Sequence, residues 1–310
     1  MSRPTGIALG AELVSSTMDS GRAPVLTIDD GATVRVSTRS ILTHVDHRDP
    51  DMFAAVADHS HMDIPVTGPI AVRGARVGDV LRVDIHDVEI AEHGAMVTLA
   101  GRGGFSERLE PAGLLLPIVE DHVLFDDVRL PVRPMVGKIG VGTPEAPHCS
   151  TVGAHGGNMD CTEIGPGTTL YLPVHAEGAL LYVGDLHARQ GDGEACLTGV
   201  EVEGTVVATC RVVRDWPLAR PLVATREHTV AIGDGADLDE AVRVALDDLL
   251  ALVCTERGWS REHAAMFLSA AADVAVCQVV NARKSARASL ATAFLAITLP
   301  PTSSTTPNQE

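Results

Sequence analysis

Aromatic side chains are scarce in this chain, making up 3% of 310 residues against 45% hydrophobic residues in all. A core with so few rings has to be filled by Val, Leu, Ile and Ala, and the hydrophobic content is ample for a globular fold. Positive charge is also short: 24 Lys and Arg face 41 Asp and Glu, for a formal charge of −17. That balance excludes a nucleic-acid partner, which needs clustered cations, and favours a neutral or cationic small substrate. The six cysteines (Cys149, Cys161, Cys196, Cys210, Cys254, Cys277) contain no Cys-x-x-Cys pair. This excludes a zinc ribbon or thioredoxin motif and reads as free thiols in a reducing compartment. No apolar run approaches the roughly 20 residues of a membrane helix, and Met1 to Thr5 shows no signal-peptide character. The expected location is cytoplasmic, with no membrane partner.

What is present is strand pattern. Val25 to Val36 and Ala71 to Ile90 alternate apolar and polar residues as half-buried strands do. Gly68-Pro69, Gly74 and Gly78-Asp79 mark turns between them. From Gly167 to Val213 short strands recur between Gly-centred turns, a density that predicts a sandwich or barrel rather than βαβ units. After Asp234 the texture changes. Asp237 with Glu240 three residues on offers an N-cap, and Ala241 to Val253 carries helical apolar spacing up to a stop at Gly258. Ser260 caps a second helix, Arg261 to about Ala272, and Val274 to Val280 reads as a strand. The expected class is β-rich α+β: a β-sandwich or barrel-like body with a smaller C-terminal α/β portion. The expected division is an N-terminal β-rich domain over 1–145 and a catalytic β region with C-terminal helices over 146–300. A polar disordered tail is expected over 301–310.

Two glycine-rich runs carry the chemistry. Gly184 to Glu194 holds two aspartates, a histidine, a glutamine, a glutamate and three glycines between two apolar segments. His155-Gly156-Gly157-Asn158-Met159-Asp160 lies upstream with similar residue types. Asp185 and His187 are two apart, so on a strand they share a face, and a glycine turn can fold Glu194 back toward them. Histidine with carboxylates suits zinc, iron or manganese, whereas carboxylates alone suit calcium or magnesium. His155 and Asp160 are candidates for the remaining ligands or their supporting partners. The bland alternatives are a β-turn at Gly191-Asp192-Gly193, a self-capped turn at Asn158 and a structural histidine at 187. A third cluster, His44, His47, His59 and His61 among five aspartates, reads either as a solvated acidic loop or as a pocket entrance. Lys138 interrupts an apolar strand, as an edge charge or as a buried lysine held near carboxylates.

At these residues the chain resembles the acetamidase/formamidase family, the β-rich amide hydrolases rather than the nitrilase-like ones. The resemblance rests on Pro65 to Ile70, Gly78 to Leu81, Met135 to Val141, His155 to Asp160, Leu170 to Val174, His187 to Glu194, Ala271 to Asp273 and Gln278 to Val280. The chain departs from the family pattern at Leu186, where glycine is usual, at His175, where an apolar residue is usual, and over Asn281 to Phe294. The resemblance implies hydrolysis of short aliphatic amides to a carboxylic acid and ammonia, a β-sandwich-like body with an additional α/β portion, homo-oligomerisation (a dimer or higher) and divalent metal binding.

On that basis a divalent metal, zinc first and calcium second, is expected on a set drawn from His155, Asp160, Asp185 and His187, lowering the pKa of water. Glu194, Lys138 and Asp192 form the expected catalytic set, with Glu194 as the base that carries the proton to the leaving ammonia. Gly156, Gly157, Asn158 and Gln190 are expected to meet the substrate or its oxyanion. Three alternatives stand beside this reading. Cys161 with Lys138 and Glu194 could form a cysteine-nucleophile amidase. Asp185-x-His187 with Glu194 and Gly199 faintly resembles a cupin metal motif. The third is a non-enzymatic β-sandwich binding module whose loops are ordered by calcium.

Overall fold

The computed structural model describes residues 6–43 and 64–300. The histidine cluster from His44 to His61 and the expected tail over 301–310 lie outside the described residues. Strands and helices are numbered along the chain.

Among the described residues the strands form two sheets. The first holds nine, in the spatial order β1 (Ile7–Leu9), β4 (Thr33–Thr38), β17 (Gly204–Val213), β6 (Val80–Ile90), β14 (Thr169–Pro173), β18 (Leu222–Ala224), β19 (His228–Gly235), β21 (Lys284–Ala291) and β20 (Ala272–Gln278). The second holds twelve. Nine run in the order β10 (Val128–Pro131), β9 (His122–Phe125), β8 (Ala112–Val119), β7 (His93–Thr98), β16 (Glu201–Val202), β15 (Leu181–His187), β11 (Met135–Val141), β13 (Gly156–Asn158) and β12 (Val152–Gly153). The other three join through β5 (Val66–Val72), which pairs with β15 and carries β2 (Val14–Ser15) and β3 (Leu26–Ile28).

The two sheets enclose the main core. Val83, Ile85, Leu170 and Leu172 from the first sheet meet Ile70, Val136, Ile139, Leu181 and Val183 from the second, all fully buried. The alternation read in Val80–Ile90 is the inward and outward pleat of β6. Strands β5, β11 and β15 are buried along their whole length, so they read as continuous apolar runs punctuated by the residues of the site. β11 lies between β13 and β15, which makes Lys138 a buried central-strand lysine and not an edge charge.

Strands from both sides of residue 145 alternate in each sheet: β17 lies between β4 and β6, and β15 between β5 and β11. A division there runs through one shared core. The C-terminal portion adds helices α1 (Leu238–Arg257) and α2 (Arg261–Ala271). The Asp237 carboxylate accepts from Glu240 N at 2.8 Å and the Glu240 carboxylate accepts from Ala236 N at 2.6 Å, closing the expected cap. Gly258 ends α1 with its N–H on Cys254 O, and the Ser260 hydroxyl caps α2 by accepting from His263 N. Ala245, Leu249 and Val253 of α1 bury against Leu222, Ala231, Ala288 and Leu290 of the first sheet, a second core beside the main one. The whole is mostly β, with its helices confined to the C-terminal part. No helix among the described residues is long and apolar enough to cross a membrane.

Candidate active site

The second sheet positions the site. β11 supplies Lys138, β15 supplies Asp185 and His187, and β16 places Glu201 directly across from His187 in the antiparallel register. The loops after β13 and β15 bring in Asp160 and Glu194. Three of these four carboxylates sit on residues with left-handed backbone: φ is 48° at Asp160, 58° at Asp185 and 45° at Glu194. Non-glycine residues adopt that region rarely and at some energetic cost, and such positions concentrate at functional sites. Gly137 makes room for them. A Cβ there would lie 2.6 Å from Asp160 Oδ1 and 3.2 Å from Asp185 Oδ2, so any other residue would push the carboxylates apart.

The cluster is held by directed bonds. The Gln190 amide nitrogen donates to Asp160 O at 2.8 Å and Cys277 O at 3.2 Å, so its Oε1 faces His187 and accepts the Nδ1–H at 2.7 Å. The lone pair of neutral His187 is thereby on Nε2. That atom lies 3.0 Å from Glu201 Oε1 and 3.9 Å from Asp185 Oδ1, without an aligned hydrogen bond. Lys138 Nζ lies 3.4 Å from Asp185 Oδ2 and donates to Ile64 O at 3.0 Å. With its amide nitrogen facing Asp160, Asn158 donates to Oδ1 and Oδ2 at 3.2 and 3.1 Å, and its oxygen accepts from Asn281 Nδ2 at 2.8 Å. Asn281 also reaches Asp160 Oδ2 at 3.2 Å.

Four carboxylates this close, each 6% exposed or less, cannot all remain charged beside one lysine. Burial and the charge of Asp185 push the Asp160 carboxyl up to about 7. Burial raises Glu201 to about 7 even though His187 opposes the shift. Burial and Asp160 hold Glu194 well above the ordinary carboxylate range. Asp185 goes the other way: burial opposes it, but the Lys138 ammonium holds its carboxyl below the usual range. Burial disfavours the charged form of His187, yet Glu201 and Asp185 carry it well above the ordinary histidine range. Asp185 Oδ1, His187 Nε2, Glu194 Oε2 and Glu201 Oε2 are all buried without a hydrogen-bond partner. Two sets of three ligand-type groups share His187: Asp160 and Asp185 with it, and Glu194 and Glu201 with it.

These groups form one wall of a cavity of about 370 Å³, to which Lys138, Asn158, Asp160, Asp185 and Glu194 all contribute. The other expected residues lie elsewhere. His155 is buried away from the cluster, with His175, Asp234 and Glu145 as neighbours, and burial followed by His175 pushes its pKa down to about 4. It belongs to neither ligand set. Asp192 is engaged by Arg287 through two bonds of 2.7 and 2.8 Å and by the Thr162 hydroxyl at 2.8 Å, half outside the protein. Gly156 and Gly157 pair with Gly140 and Ile139 inside the sheet rather than lining the cavity, and Gln190 acts through His187. Cys161 is fully buried, with Cys277 and Arg287 as neighbours, and does not line the cavity, so the cysteine-nucleophile arrangement has no geometry here.

Glu201 and Asn281 escaped the sequence reading. Glu201 stands in an alternating strand where its neighbours Val200 and Val202 are the expected inward residues, and only the cross-strand pairing with His187 reveals it. Its one sequence signal is a carboxylate between two valines shortly after the Gly191 to Glu194 turn. Asn281 falls in the stretch that departs from the family pattern.

A β-sandwich with a buried histidine–carboxylate centre at the floor of a small-molecule cavity is the class this chain defines. Residues 143–295 match the model of the Acetamidase/Formamidase family. The crystal structure of a predicted acetamidase/formamidase from Thermoanaerobacter tengcongensis is 35% identical, with a TM-score of 0.88 over 94% of this chain and 97% of that one. An acetamidase from Bacillus halodurans is 36% identical, with a TM-score of 0.88 over 94% of this chain and 100% of that one. A Schizosaccharomyces pombe protein provisionally named a formamidase is 25% identical over 212 residues, 48% of this chain. The match spans 52% of that yeast protein, about half its length. The chain belongs to the acetamidase/formamidase family.

Proposed function

We propose that this protein hydrolyses the C–N bond of primary amides to a carboxylic acid and ammonia. The observation that carries the reading is the convergence of Asp160, Asp185, Glu194 and Glu201 on His187 Nε2 at the floor of a cavity. An amide demands an activated water, a stabilised oxyanion and a protonated leaving nitrogen, and buried carboxylates with raised pKa values suit the proton work.

The donor set fits a divalent cation. Its carboxylates exceed the charge of Lys138, four of its buried polar atoms lack a partner, and Gln190 directs the His187 lone pair into the cluster. Asp160, Asp185 and His187 would hold the ion; mixed imidazole and carboxylate ligation favours zinc. When bound, it supplies Lewis acidity to the amide carbonyl and to water. The chain's own groups do the rest. Lys138 keeps Asp185 ionised, Asn158 and Asn281 fix the Asp160 carboxylate, and Glu194, which lines the cavity and has a buried oxygen without a partner, takes a proton from water and returns it to the leaving nitrogen.

The variant Glu194→Gln tests the assignment. Ammonia release from acetamide should fall by at least about 100-fold, in the range of general acid–base catalysis, while metal content is retained. Retained turnover would remove Glu194 from the proton role. Loss of the metal with the turnover would move the ion to His187, Glu194 and Glu201.

A further inference from the structure

We infer that the preferred substrate is an amide with an acyl chain longer than acetamide's, ending in an anionic group that Arg102 holds. The inference rests on the amide-hydrolase reading above and names the substrate class of that same site.

Size is the first observation. The cavity of about 370 Å³ falls in the range of roughly 300–1,000 Å³ found for pockets that enclose drug-sized ligands. Formamide and acetamide, with three and four heavy atoms, would leave most of it to water. Ile41, Ile64, Leu99 and Leu197 also line the cavity, giving it apolar surface that an aliphatic chain covers and a C1 or C2 amide does not.

Charge is the second. Two cationic side chains line the cavity among the described residues, Lys138 and Arg102. Lys138 is committed to Asp185 and to Ile64 O. Arg102 is exposed, and its guanidinium makes no hydrogen bond or ion pair among the described residues. An anion cannot sit on the carboxylate floor. At Arg102 it finds a planar donor fork matched to a carboxylate.

The position of Arg102 is built into the fold. Its N–H closes a turn on Leu99 O at 3.0 Å, and Gly104 N donates to Ala195 O at 2.8 Å. Gly103, at φ 102°, approaches so closely that a Cβ there would lie 3.0 Å from Cys196 O. Ala195 and Cys196 directly follow Glu194. The loop bearing the rim cation is therefore anchored to the segment bearing the proposed proton carrier, which fixes the span between the two ends of the substrate.

The test compares the monoamides of succinic, glutaric and adipic acids with the corresponding diamides, which match them in size and lack the charge. With the metal-loaded protein, the best monoamide should exceed its diamide in kcat/KM by about three- to five-fold, the upper end of the scale for an exposed charge pair. Both should exceed acetamide. In Arg102→Gln the monoamide-to-diamide ratio should fall to within two-fold, with Arg102→Lys intermediate. A ratio near one in the wild type, or one that Arg102→Gln leaves unchanged, overturns the inference. Calorimetric binding of glutaric acid monoamide separates this from the reaction itself. Binding weakened by Arg102→Gln without turnover of any amide would sink the amide-hydrolase reading and sustain the ligand charge. Binding indifferent to Arg102 would sink the inference whatever is hydrolysed.

Discussion

Gln190 and His187 are joined by a 2.7 Å hydrogen bond that fixes which nitrogen of the histidine faces the carboxylates. The amide is itself held by Asp160 O and Cys277 O, so the tautomer is set by main chain two steps removed. Breaking this relay separates ligand orientation from ligand identity. Gln190→Leu should keep the fold and lower metal affinity about 10- to 100-fold, the usual effect of losing a ligand's hydrogen-bond partner, as read by competition with a chelator. Unchanged affinity would mean that His187 is oriented by packing alone.

Lys138 and Asp185 form a pair at 3.4 Å with side chains 5% and 6% exposed. Removing the cation leaves a buried carboxylate among three others. Lys138→Met should destabilise the protein by about 3–5 kcal/mol in denaturant unfolding, the scale for breaking a buried pair from one side. Asp185→Asn in the same background should recover part of that loss. A loss no larger than about 1 kcal/mol would show that water or relaxation screens the pair.

Asp192 is held by Arg287 on a partly exposed face. Asp192→Asn should therefore leave kcat within about three-fold of the wild type and cost about 1 kcal/mol or less of stability, as partly exposed ion pairs do. A loss of turnover comparable to that of Glu194→Gln would return Asp192 to the catalytic set.

His155 is a buried neutral histidine whose pKa is pushed down to about 4 from 6.5 by burial and by His175. The unfolded chain binds the proton more readily, so this residue's contribution is complete above about pH 6.5 and is lost as pH falls toward 4. The full shift corresponds to about 3 kcal/mol. Acid titration of unfolding free energy should show a shallower loss between pH 6.5 and 4 in His155→Gln than in the wild type. Parallel curves would contradict the assignment.

Most of the fold was legible because the periods are clean. Val80 to Ile90 alternates as β6 does, Asp237 to Gly258 carries both caps of α1, and Ser260 starts α2. The two glycine-rich runs also brought Asp160, Asp185, His187 and Glu194 to notice. What spacing could not give was cross-strand register. Glu201 enters the site only because β16 lies opposite the end of β15, and His155 leaves it although it is five residues from Asp160. Left-handed backbone at Asp160, Asp185 and Glu194 turns side chains in ways no strand period encodes. Leu186, conspicuous in the sequence, lies in β15 between Asp185 and His187 and is fully buried in the main core, so its side chain serves packing on the face away from the site.

The cluster around His187 is proposed to hydrolyse amides with a divalent cation. The most direct measurement is ammonia release from formamide, acetamide and propionamide by purified protein of known metal content, before and after chelation. Release by the metal-bearing protein, its loss on chelation and its return when zinc is added back are the expected results. Release undiminished in chelated, metal-free protein, or no release from any of the three amides or the dicarboxylic monoamides by metal-loaded protein, would contradict the proposal.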